Sequence, residues 1–236
     1  MEQKLNLGEN YQINRVINGC WQLSEGHSIK NDLDFDDVMR AFHMLAERGF
    51  TTFDCGDIYT GVEEFLGKFV RELKHGSGLS PDQIQIHTKY VPDPDLLSQV
   101  DFAYTEKIID RSLKRLNREI LDMVQFHWWD YEVPGCIETA EYLARLKEKG
   151  KIRNISVTNF DTRHLKELVD AGIPVTTTQT QYSVFDRRPE KGYSEYCKGQ
   201  GIPMLCYGTL SGGFLAARWI GKRMEEPETR SQVKYM

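Results

Sequence analysis

Four residues in the first half of the chain have side chains that could together place a proton on a carbonyl oxygen: Asp54, Tyr59, Lys89 and His127. A phenol is a poor acid near neutrality, because its free pKa is about 10. A nearby lysine ammonium stabilises the phenolate and lowers that value. An aspartate beside the lysine keeps it charged and in place, and a histidine can orient a carbonyl oxygen by a hydrogen bond. Such a set is a proton donor for a carbonyl that is receiving hydride. Taken singly, each residue has a plainer role. Asp54 suits a turn or cap, Tyr59 suits packing, and Lys89 suits a surface charge. His127, beside Trp128-Trp129, suits a satisfied core histidine. Asp57, in the same loop as Asp54 and Tyr59, reads as a residue that shapes the loop.

Chemistry of this kind needs strand ends that converge, and the pattern of the chain supplies them. Residues 51–54 are a short apolar strand broken at Gly56. Further strands are expected at 13–21, 83–89, 122–126, 152–157, 175–179 and 202–207. Helices are expected at 35–48, 62–73, 105–117, 134–149, 161–171 and 189–199, with Asp34, Thr105 and Asp161 as caps and Gly49, Gly150 and Gly172 as stops. Residues 76–81, with two glycines and a proline, read as a surface loop. Seven strands alternating with helices at roughly 30-residue intervals indicate an α/β fold with a parallel sheet. Nearly every strand ends in a polar or reactive residue (Asp54, Lys89, His127, Asn159, Gln179, Tyr207). That favours a TIM-type (β/α)8 barrel over a doubly wound sheet, where a single switch point serves the ligand. The expected barrel is incomplete: no eighth strand or helix is visible in the polar tail, 221–236, and an open barrel leaves two strand edges unpaired. No linker divides the chain, so residues 1–236 read as one domain behind a polar lead-in, 1–12.

The totals narrow the class. Of 236 residues, 40% are hydrophobic and 28% charged, so a sizeable core is possible. A net charge of -5 gives no reason to expect nucleic acid or an anionic membrane as partner. The cysteines (20, 55, 136, 197 and 206) are odd in number and form no C-x-x-C pair, which argues against a disulfide framework or zinc site and fits a reducing, cytosol-like compartment. The remaining histidines show no metal-ligand spacing, no apolar run is long enough to span a bilayer, and nothing indicates an oligomer.

Several motifs in order resemble the aldo-keto reductase superfamily. The pattern D-x-x-D-x-Y stands as Asp54-Cys55-Gly56-Asp57-Ile58-Tyr59. His87-Thr88-Lys89 matches the lysine that ends the third strand. Asp122-Met123-Val124-Gln125-Phe126-His127 matches the histidine segment, with Met for Leu. Lys149-Gly150-Lys151-Ile152-Arg153 with Ser156-Val157-Thr158-Asn159-Phe160, and Gln179-Thr180-Gln181-Tyr182-Ser183, resemble two further signatures. The resemblance implies a barrel that binds NADPH, or NADH, without a Rossmann fingerprint, and reduces an aldehyde or ketone. It implies Tyr59 as general acid, Lys89 and Asp54 as its tuners, and His127 as the residue that orients the substrate. It assigns Thr158, Asn159 and Gln179 to the nicotinamide carboxamide, Tyr207 to ring stacking, and Gly208-Thr209-Leu210-Ser211-Gly212 to the pyrophosphate. Gly19, Cys20 and Trp21 fall near the cofactor, and Trp21 and Trp128 near the substrate. Thr60, Ser156, Thr158 and Thr178 are mild departures from the family pattern. The missing eighth strand supports a second reading, a non-catalytic relative serving as an interaction module.

Overall fold

The computed structural model describes residues 4–7, 11–27, 33–76, 79–222 and 226–235. Two short strands come first: β1 (Lys4–Asn6) and β2 (Gln12–Asn14) pair antiparallel. Then follow β3 (Asn18–Gly19), α1 (Phe35–Glu47), β4 (Thr52–Asp54), α2 (Val62–Gly76), β5 (Gln85–Tyr90), α3 (Phe102–Leu116), β6 (Met123–Phe126) and α4 (Cys136–Glu148). The series continues with β7 (Ile155–Thr158), α5 (Thr162–Asp170), β8 (Val175–Gln181), α6 (Tyr193–Gln200), β9 (Met204–Tyr207) and the short α7 (Arg230–Val233). Among the described residues β3 to β9 form one seven-stranded parallel sheet in sequential order.

The sheet is curled. In a flat sheet β4 and β8, four positions apart, would lie roughly 19 Å from each other at the usual strand spacing. Instead the Gln179 amide on β8 donates to Asp54 Oδ2 on β4 at 2.8 Å. Strand alternation then sorts the side chains. Phe53 faces outward and meets Phe42 of α1 and Phe69 of α2, ring centroids 4.9 and 5.3 Å away. Burying each such ring contributes on the order of 1.5–3 kcal/mol. Thr52, Asp54, His87, Lys89, Met123 and Gln125 occupy the alternate positions and fill the interior, which is polar for most of its length. Helices α2 and α3 meet closest at Gly67, where a Cβ would run into the Arg115 carbonyl.

Several expectations are corrected. The run 13–21 is two strands, and the lead-in is half of a hairpin, not a tail. That hairpin closes the end of the barrel opposite the strand C-termini. Tyr11 bonds His87 at 2.9 Å, and Asn14 Oδ1 accepts from the N–H groups of Thr51 and Thr52 at 2.6 and 3.0 Å. Asp101, not Thr105, caps α3, by accepting from Tyr104 N at 2.7 Å. The helix expected at 189–199 is a 3-10 turn, Arg188–Glu190, followed by α6. Of the expected loop 76–81, Ser77 and Gly78 lie outside the described residues. The tail at 226–235 is polar as expected, but it packs: Gln232 is buried, and Arg230 N donates to the His27 carbonyl at 3.1 Å.

Candidate active site

At the C-terminal ends of β4 and β5, Lys89 Nζ donates to Asp54 Oδ1 at 2.7 Å and to the Cys55 carbonyl at 2.8 Å. The second Asp54 oxygen accepts from Gln125 Nε2 and Gln179 Nε2, each at 2.8 Å. Lys89 and Asp54 are almost enclosed, their side chains 7% and 13% exposed. Burial pushes the Lys89 ammonium down; Asp54 and then Tyr59 outweigh it, and the net effect is upward, so the lysine stays charged.

Tyr59 is held at the mouth by the turn after Gly56. Its N–H donates to the Gly56 carbonyl at 3.0 Å, and its ring centroid lies 5.0 Å from Lys89 Nζ. The lysine alone would lower the phenol, as expected from the sequence. Burial wins, however, and the net shift is upward from 10; Asp54 adds to it. The phenol is therefore tuned by two opposed effects.

His127, at the end of β6, makes a 3.1 Å bond from Nδ1 to the Thr158 carbonyl. A carbonyl can only accept, so Nδ1 carries the proton and the neutral ring offers a lone pair at Nε2. Burial lowers its pKa, with the Thr158 bond opposing. Donation to a substrate oxygen from Nε2 thus requires the imidazolium, a condition that sequence reasoning did not supply.

Of the two adjacent tryptophans, the one expected near the substrate is buried and its neighbour is exposed. Trp128 is 1% exposed, packs on Phe126 and donates from its indole to the Val133 carbonyl at 3.1 Å. Trp129 is 48% exposed and meets the His127 ring edge-on at 4.7 Å. Trp128, assigned above to the substrate, faces the core because it continues the outward parity of Phe126. Trp21 stands in a 3-10 turn, Trp21–Leu23, its ring edge-on to His27 at 4.5 Å. Cys20 and Cys55 are fully buried, and burial raises both thiols. Gly19 pairs with Asp54 in the sheet, and Cys20 N donates to the Asp54 carbonyl.

Thr158 and Gln179 lie together. Thr158 Oγ1 donates to Gln179 Oε1 at 3.2 Å. With its nitrogen on Asp54, Gln179 is engaged within the protein at both polar atoms, and so belongs to the carboxylate network. Asn159, in the left-handed region at φ 61, accepts from the Tyr207 hydroxyl at 2.7 Å. The loop after β9 is glycine-rich for a conformational reason: Gly208, Ser211, Gly212 and Gly213 all have positive φ. Thr209 and Leu210 are exposed, whereas Ser211 is buried with its hydroxyl on Ser183. Residues 231–235 lie against this loop. The Tyr235 hydroxyl donates to the Gly208 carbonyl at 3.3 Å and accepts from Gln181 Nε2 at 3.1 Å, and Lys234 Nζ sits 4.5 Å from the Trp21 ring and 5.5 Å from that of Tyr207. Among the described residues no cluster of His, Cys, Asp and Glu could hold a metal, and no helix is long and apolar enough to cross a membrane.

Gln125, Trp129 and the tail contacts were missed from the sequence. Gln125 shares the inward parity of His127 and could have been found by counting back along the strand.

The profile of the aldo/keto reductase family matches residues 15–235. An aldo-keto reductase of Bacillus subtilis, YhdN, is 31% identical over 220 residues, covering 91% of this chain and 62% of its own. The chloroplastic pyridoxal reductase of Arabidopsis thaliana is 26% identical, covering 94% and 63%. A glyoxal reductase of Bacillus subtilis is 32% identical over 189 residues, covering 78% and 62%. This chain therefore spans less than two thirds of the length of these relatives. Among solved structures, the glycerol dehydrogenase of Gluconobacter oxydans superposes with a TM-score of 0.77 at 25% identity, covering 99% of this chain and 70% of that one. An aldo/keto reductase from Klebsiella pneumoniae, in complex with NADP and acetate, gives 0.75 at 24% identity and shares the fold, covering 91% and 70%. A buried Asp–Lys pair under a tyrosine at converging strand ends, in a curled parallel sheet matched by one profile along nearly its whole length, makes this chain a member of the aldo/keto reductase family.

Proposed function

We propose that this protein is an NAD(P)H-dependent reductase of small aldehydes or ketones, with Tyr59 as the proton donor. The observation that carries this reading is the Asp54–Lys89 pair, 2.7 Å apart and nearly enclosed, with the Lys89 ammonium 5.0 Å from the Tyr59 ring. A fixed cation there stabilises a phenolate as it forms, in a site where little water screens it. Asp54 keeps the ammonium aimed, and its own orientation is fixed by Gln125 and Gln179. His127, when protonated, holds the carbonyl oxygen from Nε2. Trp129, and Trp21 across the mouth, offer flat apolar surface to a small substrate.

A nicotinamide dinucleotide would supply hydride, and the residues present fit one. Thr158 and Asn159 at the end of β7 are joined to Tyr207 at the end of β9 by the Tyr207–Asn159 hydrogen bond, and in 208–213, where Gly208, Ser211, Gly212 and Gly213 have positive φ, the N–H groups of Thr209 and Leu210 have no acceptor among the described residues. NADPH is the cofactor favoured by the family resemblance, and the relatives named for pyridoxal and glyoxal reduction support an aldehyde substrate.

The test is NADPH oxidation against an aldehyde panel that includes pyridoxal and glyoxal. Tyr59→Phe should lose about 10²–10⁴-fold in turnover, the range general acids contribute. Turnover equal to that of the native chain removes Tyr59 from its role. The alternative of a non-catalytic interaction module draws on the packing of residues 231–235 over the glycine loop. A fluorescence titration separates the two, since saturable NADPH binding with turnover excludes the module.

A further inference from the structure

We propose that Asp57 and Glu63 are positioning residues, a buried carboxylate pair that clips the Tyr59 loop to the end of β5 and so fixes where Lys89 stands against the phenol. The proposal rests on the reading of Tyr59 as the proton donor.

Both carboxylates are 1% exposed at the side chain, which is unusual for acids and costly without partners. Their partners lie on either side of Lys89. Glu63, in the first turn of α2, accepts from Thr88 Oγ1 at 2.7 Å. Asp57 N donates to the Lys89 carbonyl at 3.3 Å, and Asp57 Oδ1 accepts from Val91 N at 3.3 Å. Residues 88, 89 and 91 are thus each tied to the segment that carries Tyr59. Alternation along β5 makes the arrangement work: Lys89 points inward to Asp54, while Thr88 points outward to Glu63. Two arginines of α3 close the cluster. Arg111 Nη2 reaches Asp57 Oδ2 at 3.4 Å, and Arg115 Nη1 reaches Glu63 Oε2 at 3.4 Å and the Asp57 carbonyl at 3.3 Å. Buried ion clusters of this kind are often replaceable by well-packed apolar residues of similar volume without loss of stability. The carboxylates do what apolar residues could not, which is to fix the position of a strand end by directional bonds.

The groups facing Asp57 are Glu63 from α2, Arg111 and Arg115 from α3, and Lys89 and Tyr90 from β5. Burial, and then Glu63, raise the Asp57 carboxyl to about 7, with Arg111 opposing. A proton taken up there near neutrality weakens the tie to Arg111, and the clip is firmest above that pH.

The experiment compares Asp57→Asn and Glu63→Gln with the native chain. In NADPH oxidation, kcat should fall about tenfold to a hundredfold, the cost of a displacement of about 1 Å, with KM and the NADPH dissociation constant little changed. The acidic limb of the native pH profile, near pH 7, should flatten in Asp57→Asn. A readout independent of turnover is the [13Cζ]tyrosine resonance of Tyr59, assigned by its loss in Tyr59→Phe; it should move in both variants. If either variant fails to fold, Thr88→Val, which removes the Glu63 contact with little change of volume, takes its place. A Tyr59 resonance and pH profile that superpose on those of the native chain overturn the proposal. If the native chain reduces no carbonyl, the functional reading fails by itself, while the resonance still decides whether the pair positions the phenol.

Discussion

On the β4–β6 side of the mouth, Asp54 accepts three hydrogen bonds from three different strands and Lys89 donates two, all of them 2.7–2.8 Å long. On the β9 side, the side-chain bonds of the loop 208–213 to the rest of the chain run to Tyr235 and Ser183 at 3.3 and 3.4 Å, and Leu210, Leu215 and Ile220 stand 68%, 44% and 81% exposed. The first side is preorganised. Its charges are aimed before any ligand arrives, which is what electrostatic catalysis requires. The second side has fewer buried contacts and more exposed backbone, the properties of a segment that opens at low free-energy cost. On the proposed function, proton chemistry tolerates little displacement, whereas a dinucleotide has to enter and leave. The contrast therefore predicts that equal chemical changes on the two sides have unequal effects.

Lys89→Met should show the largest effect. It leaves Asp54 buried with a negative charge and two amides. Breaking such a pair costs about 3–5 kcal/mol, visible as a sharp drop in the midpoint of a chemical denaturation curve. A drop within about 1 kcal/mol would mean that the pair is much better solvated than its 7% and 13% exposure indicates.

The pH dependence of stability tests the same side more finely. Burial raises the Asp57 carboxyl to about 7 from the ordinary 3.8, so between those values the folded chain holds a proton that the unfolded chain has lost. Protonation favours the folded state. This contribution is fully present below 3.8 and is lost as pH rises through 7. Its ceiling is roughly 4 kcal/mol, from a difference of about 3 between the two pKa values at about 1.4 kcal/mol for each unit. Asp122, also raised by burial, adds in the same direction, so the informative quantity is the difference between the native chain and Asp57→Asn. Stability profiles of the two that run parallel from pH 4 to pH 8 would show that Asp57 is ionised throughout.

How much of this was legible in the sequence follows the same division. Asp54, Tyr59, Lys89 and His127 stood out because residue type, strand position and motif order coincide. Gln179 was noticed for another role, because its bond to Asp54 exists only when the sheet curls and brings β8 to β4. Trp128 was placed at the substrate although the parity was readable: Gln125 and His127 face inward, so Phe126 and Trp128 face outward. The hairpin of β1 and β2 left no periodic trace, since each strand is three residues long. The upward shift at Tyr59 could not be read at all. It depends on burial outweighing a nearby cation, and burial is a property of the folded chain.

The smallest effect belongs to the β9 side. Tyr235→Phe keeps the ring against Gly208 and Gly212 and removes one hydroxyl, with its bonds to the Gly208 carbonyl and Gln181. Bonds of this kind contribute about 0.5–1.5 kcal/mol, and partly exposed ones lie at the low end. Global stability should hardly change. Local opening of the loop should become more frequent, seen as faster amide exchange at Thr209 and Leu210 while the amides of β5 and β6 keep their protection. If exchange accelerates equally on both sides, the tail is part of one cooperative unit with the core, and the two halves of the mouth do not differ in the way their contacts suggest.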